Sequence, residues 1–283
     1  MDDMINGDVC DRCVEIFAIG NELLVGQVQD TNTFWLVRSL TGLGARVRRA
    51  VILRDEYEEI ADALSSALLR KPRLILTTGG LGPTDDDLTL RAISRALNLE
   101  LYEDEVALDM VRKRYEYIAS IRPNFSADLN EARRKMALIP RSSTPLFNPN
   151  GAAPGVVIDV NGITTIASLP GVPSEMKDIF TSSLQPVLGR TIGTGGYVER
   201  TLVLDRGDES RIAELLLHVQ SAHPSVYIKS RGQVLDDGSF LTVVLSCGGS
   251  DLSLLRRDIS ATEVALIDGL IHLDYSIKRI IES

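Results

Sequence analysis

The chain has 283 residues, 44% apolar and 24% charged, and its 39 Asp and Glu outnumber 30 Lys and Arg to leave a net charge of −9. No apolar run approaches the ~18–20 residues of a membrane span. The acidic balance speaks against non-specific binding to nucleic acid or an anionic membrane, both of which need a basic surface.

The N-terminus, MDDMINGDVCDRC, is acidic and lacks an apolar stretch, so it does not read as a signal peptide. Residues 1–13 are expected to form a disordered lead-in. Cys10 and Cys13 make a C-x-x-C and Cys247 stands far away. A structural zinc site needs four ligands, and no second pair follows. A redox pair normally opens a helix after a strand, whereas this one precedes the first strand. The pair therefore reads as reduced thiols, and the chain as cytoplasmic.

From Val14 the pattern alternates between strands and helices. VEIFAI (Val14–Ile19) reads as a strand ended by Gly20. Phe34, Trp35, Val37, Leu40 and Leu43 recur at helical spacing. RVRRAVIL (Arg46–Leu53) alternates as a strand, and its arginines read as an edge-strand face rather than a nucleic-acid patch. Residues Glu56–Leu69 are helical. LILTT (Leu74–Thr78) is a short apolar strand, as in a sheet covered on both faces. Asp85–Leu97 is expected to be the next helix, with Val106–Ile118 and Ala127–Ala137 as two more. A strand pair follows around the turn Asn161-Gly162, and then a helix opened by Pro173. This order predicts a doubly wound, mostly parallel α/β sheet over 14–190. After a glycine-rich linker, 197–283 reads as a smaller α+β unit with strand–helix–strand–strand–helix order.

The strongest chemical signal is TTGGLGPTDDDLT (Thr77–Thr89). Gly79, Gly80 and Gly82 let backbone approach an anion, and a helix N-terminus donates to it. Thr84 reads as the N-cap, with Asp87 three residues on, as in a capping box. One acid in the first turn serves the helix dipole, but three in a row repel one another. A divalent cation resolves that conflict. Asp86 and Asp87 are therefore the expected metal ligands, and Asp85 a surface residue. The stretch is neither a Walker A loop nor a G-x-G-x-x-G turn.

A second signal is GNELLVGQVQDTN (Gly20–Asn32). Loops after parallel strands share one rim, where open α/β sheets bind ligands. Glu22 and Asp30 are thus candidate catalytic carboxylates beside Asp86 and Asp87. Thr31 and Asn32 suit either binding or helix capping. NPNGAAPG supplies Asn148, Gly151, Pro154 and Gly155 as backbone-lined cleft candidates. LPGVPSEM supplies Pro170, Gly171, Pro173, Ser174 and Glu175 at a second anion-ready helix start. The three histidines form no metal pattern, and no G-x-S-x-G elbow occurs.

These four segments, in this order, make Glu15–Leu188 resemble the competence/damage-inducible protein A (CinA) family within the molybdopterin-binding-domain superfamily. The remainder, with VYIKS at Val226–Ser230, resembles the small KH-like domain that follows in archaeal members. It lacks a clear G-x-x-G clamp, which counts against RNA binding. Longer members add a domain that deamidates nicotinamide mononucleotide; the chain ends at Ser283 without room for it, so that activity is not expected. The resemblance implies a metal-dependent hydrolase splitting ADP-ribose into AMP and ribose 5-phosphate, with a divalent ion of the Mg, Mn or Co class. The alternatives are molybdopterin binding or adenylylation in molybdenum-cofactor biosynthesis, and a non-catalytic nucleotide-binding regulator. The expected partner is an adenine-nucleotide or pterin small molecule, and superfamily habit implies a homo-oligomer, dimer or trimer.

Overall fold

A computed structural model describes residues 11–235 and 238–282, without the side chains of 233–239. Two units are distinct: one comprises the chain up to Leu40 and Arg46–Gly193, the other Thr41–Ala45 and Thr194 onward.

The first unit runs β1 (Cys13–Ile19), α1 (Asn21–Leu24), α2 (Thr31–Gly42), β2 (Arg46–Leu53), α3 (Tyr57–Leu69), β3 (Leu74–Thr78), α4 (Thr89–Ala96) and β4 (Leu101–Glu103). It continues with α5 (Glu105–Ile121), α6 (Glu131–Lys135), β5 (Leu138–Pro140), β6 (Thr144–Leu146), β7 (Gly155–Val160), β8 (Thr164–Leu169), α7 (Pro173–Thr181) and α8 (Gln185–Thr191). Six strands form one sheet in the order β2-β1-β3-β8-β7-β6. The first four are mutually parallel, and β7 and β6 add antiparallel at one edge.

β1 and β3 are buried along their whole length, as central strands covered on both faces must be. Alternate residues feed opposite faces. Phe17 and Ile19 of β1 pack with Ile60, Leu64 and Ala67 of α3 and with Ala92 and Ile93 of α4. Val14, Ile16 and Ala18 point the other way and are equally buried, as are Leu36 and Leu40 of α2 and Met176, Ile179 and Phe180 of α7. One polar side chain interrupts β1. Glu15 is 2% exposed and takes a two-pronged bond from Arg70, at 2.7 and 2.6 Å, which removes the cost of an unpaired buried charge.

β7 and β8 close through Asn161 and Gly162, both at positive φ (56° and 68°), the turn that matches hairpin twist. The glycines of the expected linker divide among elements: Gly189 lies inside α8 and Gly196 opens β9.

Two expectations fail near the N-terminus. Cys13 belongs to β1, and it is disulfide-bonded rather than a reduced thiol. Cys10 and most of the expected lead-in lie outside the described residues. The expected helix at Ala127–Ala137 shrinks to α6, capped by Asn130, whose side chain accepts the Arg133 N–H.

The second unit runs β9 (Gly196–Leu204), a 3-10 turn at Ser210–Ile212, α9 (Ala213–Ala222), β10 (Tyr227–Leu235), β11 (Gly238–Gly249), α10 (Leu252–His272) and β12 (Ile277–Glu282). Its antiparallel sheet has the order β10-β11-β9-β12. Leu202, Leu241, Leu245, Ile259, Leu266 and Leu270 fill its core. Cys247 is buried there as a free thiol, and burial pushes its pKa up, so it is packed rather than nucleophilic. The last strand was not anticipated: β12 pairs along β9 and completes the sheet.

Candidate functional site

The order β2-β1-β3 makes the chain reverse direction across the sheet at β1 and β3. Ligands of open α/β sheets settle outside the carboxyl ends of strands at such a reversal. Here Ile19, Leu53, Thr78 and Leu169 end their strands side by side. The loops that follow meet in a cleft of about 510 Å³, within the range of small-molecule sites.

The glycine turn forms its floor. Gly79 has φ of +108°, and a Cβ there would overlap the Ile19 carbonyl oxygen. Its N–H is taken by Leu169 O at 3.0 Å. The N–H groups of Gly80, Leu81 and Gly82 have no hydrogen-bond partner among the described residues, and all three residues line the cleft. A run of unpaired backbone N–H groups can cradle an anion.

The helix after this turn begins later than the sequence suggests. α4 starts at Thr89, whose N–H goes to Gly80 O and whose hydroxyl goes to Gly79 O at 2.8 Å. Thr84 is therefore not a helix cap. Its N–H and hydroxyl both donate to Asp87 Oδ2, at 2.8 and 2.7 Å, while the Asp87 N–H returns to Thr84 O. This closed turn satisfies locally the groups that a cap would serve. The three aspartates consequently sit in a loop outside any helix. Asp86 and Asp87 face the cleft and Asp85 does not. Asp86 is held below the usual carboxylate range, first by the Thr84 hydroxyl, then by its own backbone N–H, with Lys135 adding charge.

Two residues of this neighbourhood escape the motif reading. Asp55, just past β2, lines the cleft and accepts the Asn21 N–H at 2.8 Å. Its carboxyl is pushed up, first by burial and then by the negative charges of Glu22, Asp86 and Asp87, against the opposing pull of that hydrogen bond. The shared-rim rule, applied to β2 as well as β1 and β3, points to it. Lys135 of α6 donates to the carbonyls of Thr84 and Asp87 and so ties the acidic loop down. Burial lowers its pKa against the pull of the aspartates.

The remaining expected residues divide into lining and support. Glu22, Pro170, Gly171 and Glu175 line the cleft. Asp30 does not; its Oδ1 accepts the Thr33 N–H at 2.9 Å and caps α2. Thr31 is exposed at the start of that helix and Asn32 is 7% exposed beneath the rim. Asn32 Nδ2 donates to Thr78 Oγ1 and Gly171 O, and the Thr78 hydroxyl donates to Pro170 O. Asn148 Nδ2 reaches Ala153 O and Glu175 Oε2, and its Oδ1 takes the Gly151 N–H. Asn148 and Gly151 thus fix the wall that presents Glu175. Pro154 precedes β7, Gly155 opens it, and Pro173 and Ser174 open α7; none of these four lines the cleft.

The donor set suits a hard divalent cation, which takes oxygen ligands. Among the described residues no three His, Cys, Asp or Glu side chains form a ready-made cage. That pattern fits an ion held by one or two carboxylates together with ligand phosphates, not a dedicated structural site. Asp86 and Asp87 could each offer it a carboxylate oxygen.

Residues 15–190 match the family described as probable molybdopterin binding domain. A protein of Aeropyrum pernix is 41% identical over 229 residues, 81% of this chain and 82% of its own length. One of Sulfurisphaera tokodaii is 40% identical over 223 residues, 78% and 81% of the two chains. Among solved structures, CinA of Thermoplasma acidophilum, described as of unknown function, superposes with a TM-score of 0.56 at 36% identity. It covers 62% of this chain and 98% of its own. No helix among the described residues is long and apolar enough to cross a membrane. The chain belongs to the probable molybdopterin binding domain family, and its first unit is CinA-like.

Proposed function

We propose that the cleft binds a phosphorylated heterocycle of the molybdopterin class and, with a divalent ion and ATP, adenylylates it in molybdenum-cofactor assembly. One observation carries this reading: Gly80, Leu81 and Gly82, whose N–H groups have no partner among the described residues, line a space shared with Glu22, Asp55, Asp86 and Asp87. Family membership supplies the ligand class. Backbone N–H groups hold one phosphate; Asp86 and Asp87 would hold the ion, which would supply charge neutralisation to the phosphates. The protein's own share is positional. The Gly79 turn fixes the cradle, Lys135 fixes the acidic loop, and Asn148 fixes Glu175. In this reaction a phosphate oxygen of the pterin attacks the α-phosphorus of ATP and pyrophosphate leaves.

A second reading, hydrolysis of ADP-ribose to AMP and ribose 5-phosphate, is favoured by Asp55. A carboxyl raised by burial and like charges is suited to accept a proton from an attacking water. The two readings separate in one assay. Molybdopterin with ATP and magnesium yields pyrophosphate and an adenylylated pterin under the first. ADP-ribose with a divalent metal yields AMP under the second. Product formation that survives Asp86→Asn in both assays removes the metal role from that residue. A second copy of the chain and a cytoplasmic location belong to the same reading.

A further inference from the structure

The cleft has two chemically different ends. One is the acidic, glycine-rich rim. The other is built from Leu81, Tyr115, Met136, Ala152 and Ala153, which form a small apolar cluster around buried Val111. Phosphates and cations gain nothing from such a wall, whereas a fused-ring heterocycle does.

Tyr115 is the aromatic member of that wall. It lies half-buried on α5, and its hydroxyl makes no hydrogen bond among the described residues. One face is covered by Arg133, whose guanidinium carbon lies 3.8 Å from the ring centroid. Phe125 lies beside the guanidinium, its ring centroid 5.3 Å from the same carbon. The two rings are 6.1 Å apart and within 3° of parallel. Arg133 is itself fixed to the carbonyls of Ser126 and Asp128, at 2.8 and 2.7 Å. The ring is thus held in place before any ligand arrives, and Tyr115 is one of the residues that line the cleft. A preordered aromatic surface binds a flat ring with little further loss of freedom. A cation stacked behind it withdraws electron density, which favours an electron-rich partner on the other side.

We propose that Tyr115 is the stacking platform for the ligand's planar nitrogen heterocycle, adenine or pterin. It would then be the specificity-determining residue that separates ring-bearing phosphates from ring-free ones. This rests on reading the glycine rim as the phosphate site. The test is calorimetric titration of the full chain, with magnesium, against AMP, 6-hydroxymethylpterin and ribose 5-phosphate. The proteins compared are wild type, Tyr115→Phe and Tyr115→Leu, each checked for a wild-type unfolding transition. Leucine keeps the apolar volume, so the wall does not collapse. Stacking on one base is large enough that Tyr115→Leu weakens AMP or the pterin about five-fold or more. Ribose 5-phosphate binds within two-fold of wild type, and Tyr115→Phe restores ring binding. Whichever ring loses affinity identifies the source. Unchanged ring affinity in Tyr115→Leu overturns the platform, as does an equal loss for all three ligands. Wild type that binds ribose 5-phosphate as tightly as AMP and the pterin also removes the platform but leaves the phosphate site standing. Wild type that binds none of the three removes the phosphate site, and the platform with it.

Discussion

Asn32 Nδ2 donates to the Gly171 carbonyl at 2.7 Å across 139 residues of sequence. The same nitrogen reaches Thr78 Oγ1 at 3.1 Å, and the Thr78 hydroxyl continues to Pro170 O. One buried amide therefore ties the start of α2, the end of β3 and the loop after β8. Asn32→Ala leaves Gly171 O and Thr78 short of donors and is expected to cost about 1–3 kcal/mol. Urea unfolding measures it. A loss under a few tenths would show that the network is decorative. Asn32→Asp is expected to cost more, because it sets a carboxylate against a carbonyl.

Gly79 and Gly26 both have positive φ, 108° and 71°, but only one is crowded. A Cβ at Gly26 meets nothing within 4 Å, while at Gly79 it overlaps the backbone of Ile19. Gly26→Ala should cost about 1 kcal/mol from backbone strain alone. Gly79→Ala should exceed that several-fold or prevent folding, because β1 and β3 must separate. Comparing the two by thermal unfolding isolates the close approach.

Asp55 makes stability depend on pH in a stated direction. Its folded pKa is raised, so in the window between the unfolded and folded values the native state binds more protons. Stability therefore falls as pH rises through that window. Asp55→Asn should raise stability at neutral pH, with the benefit fading as pH drops below the ordinary carboxyl range near ~4. Unfolding followed from pH 3 to 8 reads the sign directly. A stabilising effect that persists unchanged at pH 3 would show a non-electrostatic origin.

Magnesium should stabilise the wild type, since ligands that bind only the folded state raise its melting temperature. The increment should disappear in Asp86→Asn, whose carboxylate is bonded by the Thr84 hydroxyl and its own backbone N–H. Asp87→Asn should lose the increment and also weaken the metal-free protein, because Asp87 closes the turn on Thr84. Equal metal-free stability of the two variants would contradict that division of labour.

The sheet was legible where burial writes a pattern. β3 begins and ends where its buried apolar run does, and β1 differs by Cys13 alone; β2 keeps its expected bounds although it is exposed along most of its length. Elements defined by a distant partner were not. β4 and β5 are three residues each and exist because Leu101 pairs with Pro140. The start of α4 was misplaced because Thr84 and Asp87 resemble a capping box in sequence and form a free-standing turn in space. Asp30 looked like a catalytic carboxylate because capping and catalysis ask for the same residue type. Lys135 was invisible because no motif surrounds it, and Asp55 lies outside any motif and within reach only of the shared-rim rule; each matters through what the fold brings near.

The Asn161-Gly162 turn joins β7 to β8 at the end of the sheet away from the cleft, since β8 runs parallel to β3 and ends at the rim. Its residues are exposed, and among the described residues only Arg73 reaches the adjacent carbonyls of Gly162 and Ile163. That makes the hairpin tip a natural attachment point for a dye, a surface tether or an inserted reporter. The binding rim could then be watched from a handle about one strand-length away, on a segment whose two flanking strands are clamped in the sheet.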